Sequence, residues 1–279
     1  MSYRTIVVYL EQPSSVSRIM KTAVPLAETF GAHLTGTHVF AGVPLVGTIS
    51  AQVPPEILEQ YADMMREDAK TIKKEFAKAA KGRDFQTEWR DQEQTSARVN
   101  LLGAILEQTR CADLLIVGEM GSEQRVGELT TDIILDSGRP VLIVPENGKS
   151  GDLSGKIVIG WDGSREATRA VFDALPLLKR AKTVDLVTVG KSDDAKNAVR
   201  AGGGEMASVL SRHGVNAEVV MVERGDSSAG DALLNYASEN DGDLLVMGCY
   251  GHSRLRERLF GGATRHVMKK MIVPVLMSH

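Results

Sequence analysis

The chain has 279 residues, 43% of them hydrophobic and 25% charged, with a formal net charge of −3. That balance suits a globular protein with one large or two medium cores, and its near-neutrality argues against nucleic acid as the main partner. The sequence lacks both an apolar run of about 18 residues and, in its opening MSYRTIVVYLEQ, the basic-then-apolar pattern of a signal peptide, so a cytoplasmic location without a membrane partner is expected.

Taken in order, Thr5 to Leu10 (TIVVYL) is a β-branched run that predicts a strand. Turn-like Glu11 to Ser15 follows, then a helical pattern from Val16 to Phe30 closed by Gly31. Leu34 to Phe40 predicts the second strand and Pro55 to Lys81 a long helix, charged on one face with Ile57, Leu58, Tyr61, Met64, Met65 and Ile72 near the other. Between them, the apolar, turn-rich Gly42 to Pro54 is an insertion that packs on the first half, lines an apolar pocket or mediates association. Phe85 to Arg90 (strand), Ala97 to Thr109 (helix), Leu114 to Val117 (strand), Thr130 to Asp136 (helix) and Pro140 to Val144 (strand) complete the first set.

The same order then begins again. After the linker ENGKSGDLSG (Glu146 to Gly155), Lys156 to Trp161 (KIVIGW) repeats TIVVYL, and Ser164 to Leu178 repeats the first helix with Ser164 as its N-cap. Val184 to Val189 is the second strand of this copy; Glu205 to His213 is a shorter helix, with Gly202 to Gly204 read as a helix interruption. Ala217 to Val222, Asp231 to Glu239, Leu244 to Met247, a helix over Gly262 to Met271 and the strand Pro274 to Met277 complete it. CADLLIVG (Cys111 to Gly118) lies over DGDLLVMG (Asp241 to Gly248), so one fold is written twice. The predicted organisation is α/β: two tandem doubly wound parallel-sheet domains, residues 1–148 and 153–279.

One stretch of the second copy points to chemistry. The strand Leu244 to Met247 ends on Gly248, with Gly251 three residues on and Gly261 and Gly262 beyond, so backbone amides can approach a ligand closely. The helix that follows offers unpartnered first-turn amides and a favourable dipole to an anion. Six cations (Arg254, Arg256, Arg258, Arg265, Lys269, Lys270) crowd this stretch against one acid, Glu257. The bland alternative is a strand, loop and helix with solvated arginines. Neither cysteine, Cys111 or Cys249, has metal-binding or disulfide-framework spacing, and the histidines show no paired spacing; His252 and His266 flank the basic cluster.

With Gly248-x-x-Gly251-x9-Gly261 set between an apolar strand and a helix running into KKMIVPVLM, the second half resembles a universal stress protein, and the whole chain resembles the tandem form of that family. The resemblance implies the adenine-nucleotide alpha-hydrolase-like fold, with the two last strands pairing inside one chain as a pseudo-dimer. It also implies a binder of ATP, or of AMP or ADP, with Mg as a companion ion. Carried onto this sequence, the implied contacts are Gly160 and Asp162 after the first strand, Val189 at the end of the second, Met247 and Gly248 beside the ribose, and Gly251, Gly261, Gly262 and Ala263 as phosphate donors. Gly262 stands where the family's ATP binders carry a hydroxyl residue, and Thr264 is the candidate to replace it.

The first half departs further. Only five residues separate Gly121 from Gly127, Glu128 follows, and Glu11 stands at the place of Asp162, so this half is expected not to bind ATP. The functional expectation is a stress-response protein acting as a nucleotide-dependent binding or signalling module, with a homodimer and an unidentified protein partner as further possibilities. The alternatives are a slow ATP hydrolase or nucleotidyl transferase, and a nucleotide-free scaffold.

Overall fold

The computed structural model describes residues 2–41, 53–94, 100–119, 124–190, 193–249 and 263–279. The first half runs β1 (Thr5–Tyr9), α1 (Pro13–Phe30), β2 (His33–Ala41), α2 (Pro55–Ala80), β3 (Thr87–Gln94), α3 (Leu101–Thr109), β4 (Leu114–Gly118), α4 (Gln124–Ser137) and β5 (Val141–Val144). The second runs β6 (Lys156–Gly160), α5 (Arg165–Leu178), β7 (Thr183–Gly190), α6 (Asp193–Arg212), β8 (Ala217–Glu223), α7 (Ala229–Glu239), β9 (Leu244–Gly248), α8 (Ala263–Lys270) and β10 (Val275–Ser278). Even the anomalies repeat: α1 and α5 each hold an interior proline at matching positions, Pro25 and Pro176.

Five elements differ from the sequence reading. Helix α1 starts at Pro13 rather than Val16, because a proline in the first turn has no amide to lose and its φ is already helical. Strand β3 lies over Thr87–Gln94 rather than Phe85 to Arg90, since it pairs with β2 from Leu34↔Thr87 through Ala41↔Gln94 and its acids Asp91 and Glu93 are tolerated at a sheet edge. The described part of α3 begins after the Asn100 cap, whose side chain accepts from Gly103 N at 2.8 Å; Ala97 to Val99 lie outside the described residues. Helix α4 begins at Gln124, not Thr130, and Gly127 and Glu128 fall inside it. Helix α6 runs unbroken through Gly202 to Gly204. The insertion Gly42 to Pro54 lies outside the described residues up to position 52.

The strands among the described residues join one ten-stranded sheet, ordered β3-β2-β1-β4-β5-β10-β9-β6-β7-β8. Every pairing is parallel except the central one, where β5 and β10 run antiparallel in the register Leu142↔Leu276. The two last strands thus satisfy each other's edges within one chain, as the pseudo-dimer expectation held. The apolar core forms two layers that both cross this seam. One lies under α1, α2, α5 and α6 and includes Leu142 and Leu276. The other lies under α3, α4, α7 and α8 and includes Ile143 and Val275. Tyr3 also ties the halves, its hydroxyl donating to Asp173 O at 2.7 Å.

At the N-terminal end of β7, Asp185 is 4% exposed but satisfied, accepting from Lys156 Nζ at 3.0 Å and Tyr236 OH at 2.9 Å. Burial, with this carboxylate beside it, pushes the Tyr236 phenol up to about 12. A depression of about 560 Å³ lined by Arg4, His33, Arg83 and Phe85 opens at the same end of the first half's strands, away from the site described next.

Candidate functional site

In the second half, β7 and β8 lie on one side of β6, and β9 and β10 on the other. The winding reverses between β6 and β9, and the crevice beyond their carboxyl ends is where ligands of open α/β sheets sit. The chain leaves β6 through Trp161, Asp162 and Gly163, and leaves β9 at Gly248.

Each of these exits has a local cause. Trp161 is 7% exposed and packs into the first core layer, its amide donating to Val187 O at 2.8 Å. Asp162 is exposed, and its Oδ1 accepts from Ser164 N at 2.9 Å, an Asx turn helped by Gly163 at φ +75. Ser164 is the N-cap of α5, as its place after Asp162-Gly163 predicts, with Oγ accepting from Ala167 N at 3.1 Å. Gly160 packs under α7: a Cβ there would meet Leu233 Cδ1 at 2.8 Å.

Gly248 is set by packing. A Cβ on it would lie 2.4 Å from Ala167 N and 2.5 Å from Glu166 C, so β9 ends flush against the first turn of α5. Glu166, which sequence reasoning missed, is 4% exposed beside it. Burial pushes its carboxyl up, but its own backbone amide and the Arg165 guanidinium at 2.7 Å outweigh that and hold it below the usual carboxylate range. The one signal available was its position two residues after an N-cap serine, where a carboxylate complements the helix dipole. Ser164 and Glu166 together cap α5 from within the chain.

Of the other residues named from the sequence, Met247 is buried at the end of β9, and Val189 is half-buried near the end of β7. Ala263 opens α8 with its carbonyl against Gly230, where a Cβ would stand 2.5 Å away, and Thr264 is buried in the same turn. Gly251, Gly261, Gly262, His252 and Arg254 to Arg258 lie outside the described residues. Of the remaining cations, Arg265 is exposed and Lys270 donates to Asp231 at 2.9 Å. Cys249 is buried, its amide donating to Ser278 O at 2.9 Å and its carbonyl 2.8 Å from His279 Nδ1. Among the described residues, no three His, Cys, Asp or Glu side chains are grouped to hold a metal.

The matching end of the first half is built differently. Tyr9 stands where the second half has Gly160, and its ring is 1% exposed in the second core layer. Arg18 reaches across the end of β4, its guanidinium donating to Val144 O at 2.6 Å and to Pro145 O. Its counterpart Arg169 instead pairs with Asp173 on its own helix at 2.8 Å. Glu119 accepts from Glu146 N at 2.6 Å, and burial pushes both the Glu119 and Glu11 carboxyls up. Among the described residues, Tyr9, Arg18 and Glu119 thus stand at the carboxyl end of the first half's strands.

A doubly wound sheet written twice, with a different carboxyl-end crevice in each copy, defines the class of this protein. Residues 154–279 match the model of the Universal stress protein family. The chain is 28% identical over 243 residues to Universal stress protein Slr1230 of Synechocystis sp., covering 84% of this chain and 82% of that one. Among solved structures, a universal stress protein of Archaeoglobus fulgidus is similar with a TM-score of 0.72 at 16% identity, covering 98% of this chain and 95% of the other. A functionally unknown protein of Pseudomonas aeruginosa follows with a TM-score of 0.57 at 15% identity, covering 99% and 92%. The second half is thus similar to the universal stress protein family, and the whole chain is similar to a curated member of it and shares the fold of a solved one.

Proposed function

We propose that the second half binds one adenine nucleotide, ATP in the first instance, and that the protein works as a nucleotide-dependent binding or signalling module in a cytosolic stress response. The observation that carries this reading is the strand end at Gly248, bare of a side chain and flush against a helix turn already capped by Ser164 and Glu166, at the winding reversal beside Asp162. Such an end suits a ligand held by backbone groups, and the similarity of the second half to the universal stress protein family makes an adenine nucleotide the leading class.

In this reading Asp162 accepts from the adenine or its surroundings, and Gly160 and Val189 line the approach from β6 and β7. Met247 and Gly248 flank the ribose, while Gly251, Gly261, Gly262 and Ala263 donate to phosphate, with Thr264 supplying the hydroxyl that Gly262 lacks. A Mg ion accompanying the nucleotide would be held chiefly by its phosphates. The first half, blocked by Tyr9 and Arg18 and lined by two carboxylates, takes no nucleotide.

Titration calorimetry with ATP, ADP and AMP, alongside mass spectrometry of nucleotide carried through purification, tests the reading. Asp162→Ala is expected to weaken binding about ten- to a hundredfold, matching the roughly 1.5–3 kcal/mol of a hydrogen bond to a charged group. Absence of binding by all three nucleotides would overturn the reading.

A further inference from the structure

Helix α2 is acidic in one half and basic in the other. Glu56, Glu59, Asp63, Glu67 and Asp68 outnumber Arg66 in its N-terminal half; Lys70, Lys73, Lys74 and Lys78 outnumber Glu75 in its C-terminal half. A helix dipole favours that polarity only within the first and last turns, so it does not account for Asp63, Glu67 or Lys70. Nor does the repeat demand it in the helix interior: α6, the matching helix, opens on Asp193 and Asp194 and ends on Arg212, but has Lys196 and Arg200 before its glycines and Glu205 after them.

Arg66 is engaged by Glu93 at 2.8 Å and by Asp63 at 3.1 Å, but the other pairs on this helix are open to solvent. Lys70 and Glu67 pair at 3.0 Å with side chains 74% and 71% exposed, and Lys78 pairs with Glu75 at 3.3 Å while 73% exposed. Pairs this open contribute little to stability. Beside them Ile57 and Met64, seven residues apart on nearly the same side, are 54% and 51% exposed, two of the four large apolar side chains so exposed among the described residues. The face opposite, through Ala62, Ala69, Ile72 and Phe76, is the one that packs on the sheet.

We infer that the outer face of α2 is an interface for a second copy of this chain, the two helices lying antiparallel about a two-fold axis between Lys70 and Thr71. A helix acidic at one end and basic at the other is complementary to itself only in that arrangement, and a two-fold axis makes every contact twice. The register opposes Glu67 to Lys74 and Asp63 to Lys78. At 1.5 Å per residue the helix is about 39 Å long, enough for a modest interface at the weaker end of the specific range. Its affinity is salt-dependent because the charges lie at the rim.

Sedimentation equilibrium of the full chain across a concentration series, at about 20 mM and about 500 mM salt, tests this. The expected result is a dimer that weakens with salt. Glu67→Lys and Lys74→Glu, each shown folded by circular dichroism, should each raise the dissociation constant at least about tenfold, because one reversal turns two attractions into repulsions. The double variant Glu67→Lys, Lys74→Glu should return it to within about threefold of the original. A monomer at every concentration, a dimer indifferent to both single reversals, or failure of the double variant to recover would each overturn the inference.

Discussion

A methyl group on Gly248 would stand 2.4 Å from Ala167 N and 2.5 Å from Glu166 C, backbone atoms that cannot swing away. Gly248→Ala should therefore cost about 1–3 kcal/mol as an overpacking substitution, read as a lower urea midpoint at unchanged slope. Glu11 offers a pH-dependent counterpart. Burial raises its folded-state carboxyl above the unfolded value, so the folded form holds its proton more tightly, and this group's cost appears as pH rises through that interval. Glu11→Gln should stabilise the protein at neutral pH and lose that advantage below the unfolded carboxyl range; equal effects at both pH values would contradict it. The sequence showed glycine at the end of β9 and an acid at Glu11, but not what stood against them. Gly248 meets Ala167 and Arg18 meets Val144 only because the sheet brings distant segments together.

Among the elements, α6 is where local propensity and tertiary context disagree most. Three successive glycines read as a break, yet the helix continues, and the sheet side explains one of them: a Cβ on Gly203 would meet Val219 Cγ1 at 3.3 Å and Thr188 Cγ2 at 3.7 Å. Gly204 is exposed, with nothing within 4 Å of an added Cβ. Gly204→Ala should stabilise by about 0.5–1 kcal/mol in thermal unfolding, the ordinary helix-interior difference. Gly203→Ala should gain less or lose, and a larger gain there would count against this packing. Helix α4 departs from its expected start for a related reason: Gly127 reads as a loop glycine by analogy with the longer second copy, whereas the shorter connection already enters the helix at Gln124. Strong apolar runs such as Leu114 to Val117 and Leu244 to Met247 needed no such help, because strands buried on both faces are apolar throughout.

At the scale of the whole molecule, the repeat was legible because its offset holds from strand to strand, whereas the pairing of β5 with β10 at the seam was expected only through the resemblance to tandem universal stress proteins, and its antiparallel direction was not read from the sequence. The continuity of both core layers across that seam was not legible, since neither half's pattern says what covers the end of its sheet. Leu276→Ala, at a fully buried seam position, should cost about 2–5 kcal/mol. Fluorescence and far-ultraviolet dichroism should then report one coincident transition, and two separate transitions would contradict coupling through the seam. The same asymmetry of two copies underlies the functional reading: both crevices have a glycine at the end of the fourth strand, Gly248 and Gly118, but where one has Gly160 the other has Tyr9, and an Arg18 guanidinium stands beside Gly118. Nucleotide stoichiometry by calorimetry on the intact chain tests that reading most directly. One adenine nucleotide per chain, unchanged by Arg18→Ala and weakened by Asp162→Ala, is the result expected; two equivalent nucleotides, or none, would contradict it.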